Sequence, residues 1–185
     1  MIVSMIYLIG GAPRVGKSQF MQKLISRKAM PSISCDFLYD LEQIKTLDGF
    51  AGANILEKGR AFYPTLKQLL ADISVRSEDC IIEGEVILPE FVPELSKMYD
   101  IRCCFLGLSK TNLETILTHG GFFNWPQFKL SHHLEAEVQN LAERTIERSN
   151  IIRQECEKFQ THYFDLADDY SRVIEQAADY LLGES

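Results

Sequence analysis

Five short apolar runs, each followed by a stretch of helical period, leave this chain few folds to choose from. The runs are Ile2–Ile9, Ser32–Cys35, Cys80–Ile82, Ile101–Leu108 and His162–Phe164. Continuous apolar runs of this length read as strands buried on both faces, the pattern of a parallel sheet. Between them lie helical stripes: Phe20, Met21, Leu24 and Ile25, then Leu66, Leu69, Leu70 and Ile73, with Pro64 expected in a first helical turn. Leu113, Ile116 and Leu117 mark a short helix ending at Gly120-Gly121. A long helix is expected over 134–159, and Val173 to Leu182 carries the last stripe. The expectation is an α/β three-layer sandwich around a five-stranded parallel sheet, with helices on both faces. No repeat, low-complexity tract or linker divides the 185 residues, so one domain over 1–185 is expected.

Charge and cysteine usage narrow the classes. The 26 acidic and 19 basic side chains leave a net charge of −7. A non-specific nucleic-acid or acidic-membrane binder would carry a basic footprint instead, so neither partner is expected. One local positive site remains compatible with that balance. The five cysteines are odd in number and form no CxxC. They read as free thiols acting as small hydrophobes in a reducing compartment, and the cytoplasm is the expected location. Cys103 and Cys104 are neighbours on a strand, so they point to opposite faces and cannot share a metal. The histidines have no ligand spacing.

The sharpest chemical signal is Gly11-Ala12-Pro13-Arg14-Val15-Gly16-Lys17-Ser18-Gln19, which fits GxxxxGK[ST] without a mismatch. Wrapping a polyphosphate with backbone N–H groups requires glycines at a tight strand-to-helix turn. The helix that follows offers the positive end of its dipole and its unpaired N–H groups. Lys17 can reach the β and γ phosphates, and the Ser18 hydroxyl can ligate Mg²⁺. The motif follows a strong strand and opens an amphipathic helix, as the mechanism demands. ATP and Mg²⁺ are therefore the expected cofactors.

Loop, length and strand–helix order together resemble the P-loop kinases of nucleotides and small metabolites, within the P-loop NTPase superfamily. The resemblance extends over the whole chain in architecture to adenylate-kinase-like, shikimate-kinase-like and chloramphenicol-phosphotransferase-like proteins; only the phosphate loop is specific as a motif. Many adenylate-kinase-like members carry glycine directly after the loop proline, where this chain has Pro13-Arg14. That departure points away from the adenylate kinase branch. Arg14 either stands in solvent or faces the acceptor's charge.

Acidic residues close several strands, and ligands of open α/β sheets sit beyond those ends. The resemblance implies that Asp36, directly after the second strand, binds the acceptor hydroxyl and takes its proton; its bland alternative is an N-cap for a helix beginning at Phe37. Glu83 ends the third strand like a Walker-B carboxylate, holding Mg²⁺ directly or through water, its alternative being an acidic strand end facing solvent; Glu85 is either the working acid in its place or addresses the acceptor. Asp165 ends the fifth strand and reads as a loop or capping residue rather than a catalyst. The resemblance also implies a helical lid, expected over about 118–147. It would start at Gly120-Gly121, carry Phe122, Phe123, Trp125 and Phe128, and present Arg144 and Arg148 from one helix face. These arginines either stabilise transferred charge or pair with neighbouring glutamates, and Arg153 is a third candidate. Between the second and third strands, the acceptor region of this resemblance, stand Gly49–Gly52, Lys58 and Arg60. Arg60 is the candidate contact there for an anionic acceptor.

The expected function is transfer of the γ-phosphoryl group of ATP to a hydroxyl of a small-molecule acceptor. Its alternatives are a nucleoside monophosphate kinase, or an ATP-binding regulatory module without transfer. A GTPase is disfavoured, since the fourth strand leads into Leu108-Ser-Lys-Thr-Asn112 without the guanine-specifying NKxD. The oligomeric expectation is a monomer or homodimer.

Overall fold

The structure is a computed structural model that describes residues 4–38, 54–76, 78–119 and 135–184. Strand β1 (Ile6–Gly11) lies at the centre of a five-stranded sheet. Its companions are β2 (Ser32–Ser34), β3 (Cys80–Glu83), β4 (Ile101–Gly107) and β5 (Tyr163–Asp165). The order is β2-β3-β1-β4-β5 and every neighbouring pair is parallel. Register brings Ile9 opposite both Glu83 and Cys104, and Ser34 opposite Glu83. The strand ends of β1, β2 and β3 thus meet at one edge, where the glycine loop begins.

Strand period divides the core in two. Ile6, Leu8, Ile82, Cys103 and Phe105 face one side, with Phe62, Leu66 and Leu70 of α3 (Ile55–Ser74) and Ile152 and Cys156 of α6 (Glu135–Phe159). Tyr7, Ile9, Ile81, Cys104 and Leu106 face the other, with Phe20 and Leu24 of α1 (Lys17–Arg27) and Ile174, Ala177 and Leu181 of α7 (Tyr170–Leu182). The expected three layers are present. Cys103 and Cys104 fall in opposite cores, and all five cysteines are free and buried. Shorter elements complete the described residues: α2 (Cys35–Leu38), a 3₁₀ turn at Pro89–Phe91, α4 (Val92–Leu95) and α5 (Leu113–His119).

One helix start differs from expectation. Pro64 lies inside α3, which begins at Ile55. Asn54 fixes that start: its Oδ1 accepts the N–H groups of Leu56 and Glu57 at 3.0 Å, and Glu57 Oε2 accepts the Asn54 N–H at 2.9 Å. This reciprocal cap and the burial of Phe62, Leu66 and Leu70 outweigh the one backbone bond that proline removes. The correction moves Arg60 from the approach to the helix onto the helix itself. Among the described residues no helix is long and apolar enough to cross a membrane.

Candidate active site

The turn from β1 into α1 takes a path that glycine makes possible. Gly11 has φ +130°, and a side chain there would run into the Leu106 backbone of β4, to whose carbonyl the next N–H, that of Ala12, is bonded at 3.1 Å. Gly16 caps α1 at φ +94°, and a Cβ there would stand 2.8 Å from the Tyr170 hydroxyl. Arg14, between them, is left-handed at φ +65° without being glycine. Lys17 opens α1, is 6% exposed, and donates from Nζ to the Ala12 carbonyl at 2.9 Å. The ammonium group is therefore folded back into its own loop. Tyr170 of α7 braces the far side by donating to Gln19 Oε1 at 3.1 Å.

Glu83, at the end of β3, is completely buried beside this loop. Its Oε1 accepts the Ser18 hydroxyl at 3.3 Å and the Ser34 hydroxyl from the facing position of β2. Its Oε2 is buried with no hydrogen-bond partner. Burial pushes this carboxyl above the ordinary range, against the two hydroxyl bonds and the Lys17 charge, which pull it down, while Asp36 adds to the rise. A buried carboxylate oxygen without a partner, next to a serine hydroxyl, is a donor set suited to a hard cation such as Mg²⁺. Ser18 and Glu83 are the residues that would hold it.

Asp36 follows β2 at once. Because α2 already begins at Cys35, Asp36 sits inside the first turn and is not an N-cap for a helix starting at Phe37. It lines a cleft of about 460 Å³ together with Arg14, Gly16, Lys17, Ser18 and Gln19 of the loop. Burial raises its carboxyl above the ordinary aspartate range; Glu85 adds to the rise, and Lys17 and Arg14 oppose it. Such a carboxylate holds a proton more strongly than an exposed aspartate, which suits a base.

The opposite wall belongs to α6. Arg144 and Arg148 both face the cleft, and Arg148 donates to Glu85 Oε2 at 3.0 Å, each side chain largely buried. Two buried hydroxyls face the helix's neighbours, Ser149 toward the end of β4 and Thr145 toward the phosphate loop. Ser149 Oγ accepts the Leu108 N–H at 2.9 Å, just past β4, and donates to the Thr145 carbonyl at 2.7 Å. Thr145 itself lies against the Pro13 carbonyl of the loop.

The loop residues, Asp36, Glu85, Arg144 and Arg148 thus share one cleft, with Glu83 beneath it. Arg60 does not join them. It lies on α3 in a two-pronged ion pair with Glu90, Nε at 2.7 Å and a terminal nitrogen at 3.1 Å, a planar match that holds the guanidinium outside the cleft wall. Lys58 lines the cleft instead, and Arg153 does not. Asp165 accepts the N–H groups of Ser109, Lys110 and Ala167, each at 3.1 Å, which makes it a loop-holding carboxylate. Sequence reasoning missed Ser34, Thr145, Ser149 and Tyr170. Gly49–Gly52, Gly120-Gly121, the four lid aromatics and the His132-His133 pair lie outside the described residues.

A glycine loop between a central parallel strand and a helix, with a buried carboxylate at the end of the neighbouring strand, defines a P-loop fold. Solved structures agree on the fold. A gluconokinase from Sinorhizobium meliloti superposes with a TM-score of 0.59 at 16% identity, over 98% of this chain and 93% of that one. A sugar kinase from a Janibacter species gives 0.53 at 14% identity, over 96% and 94%. A shikimate kinase from Bacteroides thetaiotaomicron gives 0.51 at 15%, over 98% and 97%. No protein-family model matches the chain, and neither does any curated protein.

Proposed function

We propose that this chain is a small-molecule kinase that transfers the γ-phosphoryl group of ATP to a hydroxyl of a small metabolite. The observation that carries the reading is the position of Asp36: a partly desolvated carboxylate on the same 460 Å³ cleft as Lys17 and Ser18. In the proposed reaction Asp36 accepts the acceptor's hydroxyl proton as its oxygen bonds to the γ phosphorus, while the bond from phosphorus to the bridging oxygen breaks. Lys17 turns from the Ala12 carbonyl toward the phosphates. Arg144 and Arg148 meet the charge on the transferring oxygens from the α6 wall. Ser18 and Glu83 would hold Mg²⁺, which when bound would neutralise phosphate charge. The fold of the gluconokinase, sugar kinase and shikimate kinase supports the same class of reaction.

A nucleoside monophosphate acceptor needs arginines between β2 and β3 for its phosphate, and Arg60 is engaged with Glu90. A purely regulatory ATP binder would have no use for a desolvated carboxylate at the acceptor end. The test is a panel of hydroxyl compounds and nucleoside monophosphates incubated with ATP·Mg²⁺, following ADP release and product mass. Mass gain of one phosphoryl group on a non-nucleotide acceptor supports the reading. ATP binding without transfer to any member favours the regulatory alternative.

A further inference from the structure

Charge on the cleft walls is unevenly placed. Lys17 and Arg14 come from the loop, Arg144 and Arg148 from α6 and Lys58 from α3; Asp36 and Glu85 are the two carboxylates facing them. A polyphosphate lying on the loop draws on Lys17 and Arg144. Arg148, the cation nearest the turn after β3, already has its charge answered by Glu85 at 3.0 Å, with 15% and 18% of the two side chains exposed. Glu85 also stands within reach of Asp36: its backbone is hydrogen-bonded to the Asp36 carboxylate and its charge raises that carboxyl's proton affinity. Among the described residues, then, the cleft beside Asp36 holds two carboxylates, with Lys17 and Arg14 acting on Asp36, Arg148 neutralised by Glu85, and Lys58 on the α3 side.

Glu85 does nothing that the transfer itself requires. The base is Asp36, the Mg²⁺ carboxylate is Glu83, and Arg148 would serve the phosphates better without a partner. Its placement makes sense as a device against the wrong acceptor, since like charges forced together cost more than favourable contacts return. We infer that Glu85 bars anionic acceptors, and that the acceptor is an uncharged or ammonium-bearing hydroxyl compound; this rests on the phosphotransferase reading. An acceptor carrying a carboxylate would bring a third negative charge against Asp36 and Glu85, and would find Arg148 occupied. A neutral hydroxyl or an ammonium group can donate hydrogen bonds to Glu85 without displacing anything.

The experiment compares wild type with Glu85→Gln on matched acceptors: glycerol, serinol and glycerate, and glucose, glucosamine and gluconate. Wild type is expected to phosphorylate the neutral or amino member of a set and to reject its acid. Glu85→Gln keeps side-chain volume and removes the charge that neutralises Arg148. The ratio of acid to neutral kcat/KM should therefore rise at least about tenfold, as removal of one like-charge contact implies. A wild-type circular dichroism spectrum and a cooperative melt of the ligand-free variant serve as the folding control. Two outcomes overturn the inference while leaving the kinase reading intact: wild type preferring an acid, or a ratio that the variant leaves unmoved. Absence of transfer to every member by both proteins, with ATP bound, overturns the phosphotransferase reading and this inference with it.

Discussion

Lys17→Ala separates two effects that the resting loop combines. Without ligand, the substitution removes the 2.9 Å bond from Nζ to the Ala12 carbonyl. A hydrogen bond to a charged group contributes about 1.5–3 kcal/mol, and releasing a 6% exposed ammonium from its desolvated position returns part of that. The expected net loss is about 1 kcal/mol. Unfolding entropy of about 2.1 cal/mol/K per residue gives about 0.4 kcal/mol/K for 185 residues, so Tm should fall by about 2–3 °C. With ligand, wild type at about 100 times Kd of ATP·Mg²⁺ gains about 2.7 kcal/mol, or about 7 °C. The variant should lose nearly all of that second shift. Differential scanning fluorimetry across an ATP·Mg²⁺ titration reads both numbers from one series. A variant that melts near wild type yet keeps more than half of the 7 °C ligand shift would refute the assignment of the phosphate site to this loop.

Asp36→Asn should leave the ATP-induced shift intact and cut transfer to a hydroxyl acceptor by about 10²-fold or more, the scale of general-base catalysis; a loss below threefold removes Asp36 from the chemistry. Because burial raises the Asp36 carboxyl, wild-type kcat/KM should fall as pH drops through a value above the ordinary aspartate range, and the variant's profile should lack that limb. Glu83 has a raised folded-state pKa, so the native protein keeps a proton that the unfolded chain has lost; Mg²⁺-free stability should decline as pH rises from the ordinary glutamate value through the raised one. Glu83→Gln should flatten that decline in melts taken across pH and abolish the Mg²⁺-dependent part of ligand stabilisation, and an unchanged slope would contradict the burial argument. Gly11→Ala should be poorly folded or several degrees less stable by circular dichroism, since its Cβ meets the Leu106 backbone at φ +130°; a wild-type melt would mean the loop can relax.

The sheet was readable because its central strands β1, β3 and β4 are largely apolar on both faces, a property that survives without knowledge of neighbours. Glu83 and Asp165 end their strands as read, but other bounds were less visible: β1 runs on to Gly11, β4 stops at Gly107 and Cys35 opens α2 instead of closing β2. The phosphate loop was legible because its chemistry dictates residue types at fixed spacing. Ser34 was not, since its role depends on the β2–β3 register that sets it opposite Glu83. Arg60 looked available from sequence, where nothing couples it to Glu90, thirty positions away; only the docking of α3 beside the turn at Pro89–Phe91 brings the two together. The start of α3, by contrast, had a visible signal in Asn54 and Glu57, spaced as a reciprocal cap.

Ser149 sets a limit on what can move when substrates arrive. By bonding the Leu108 amide it rivets the middle of α6 to the β4 edge, one turn from Arg144 and beside Arg148. Both guanidinium groups are therefore carried on a helix anchored at Leu108, and Thr145 of the same helix lies against the phosphate loop. A chain that must first bend to bring its positive charges to bear spends part of each encounter on reorganisation. Here the two arginines already line the cleft at rest, and Lys17 is the charge that has to turn, away from the Ala12 carbonyl, to meet a phosphate.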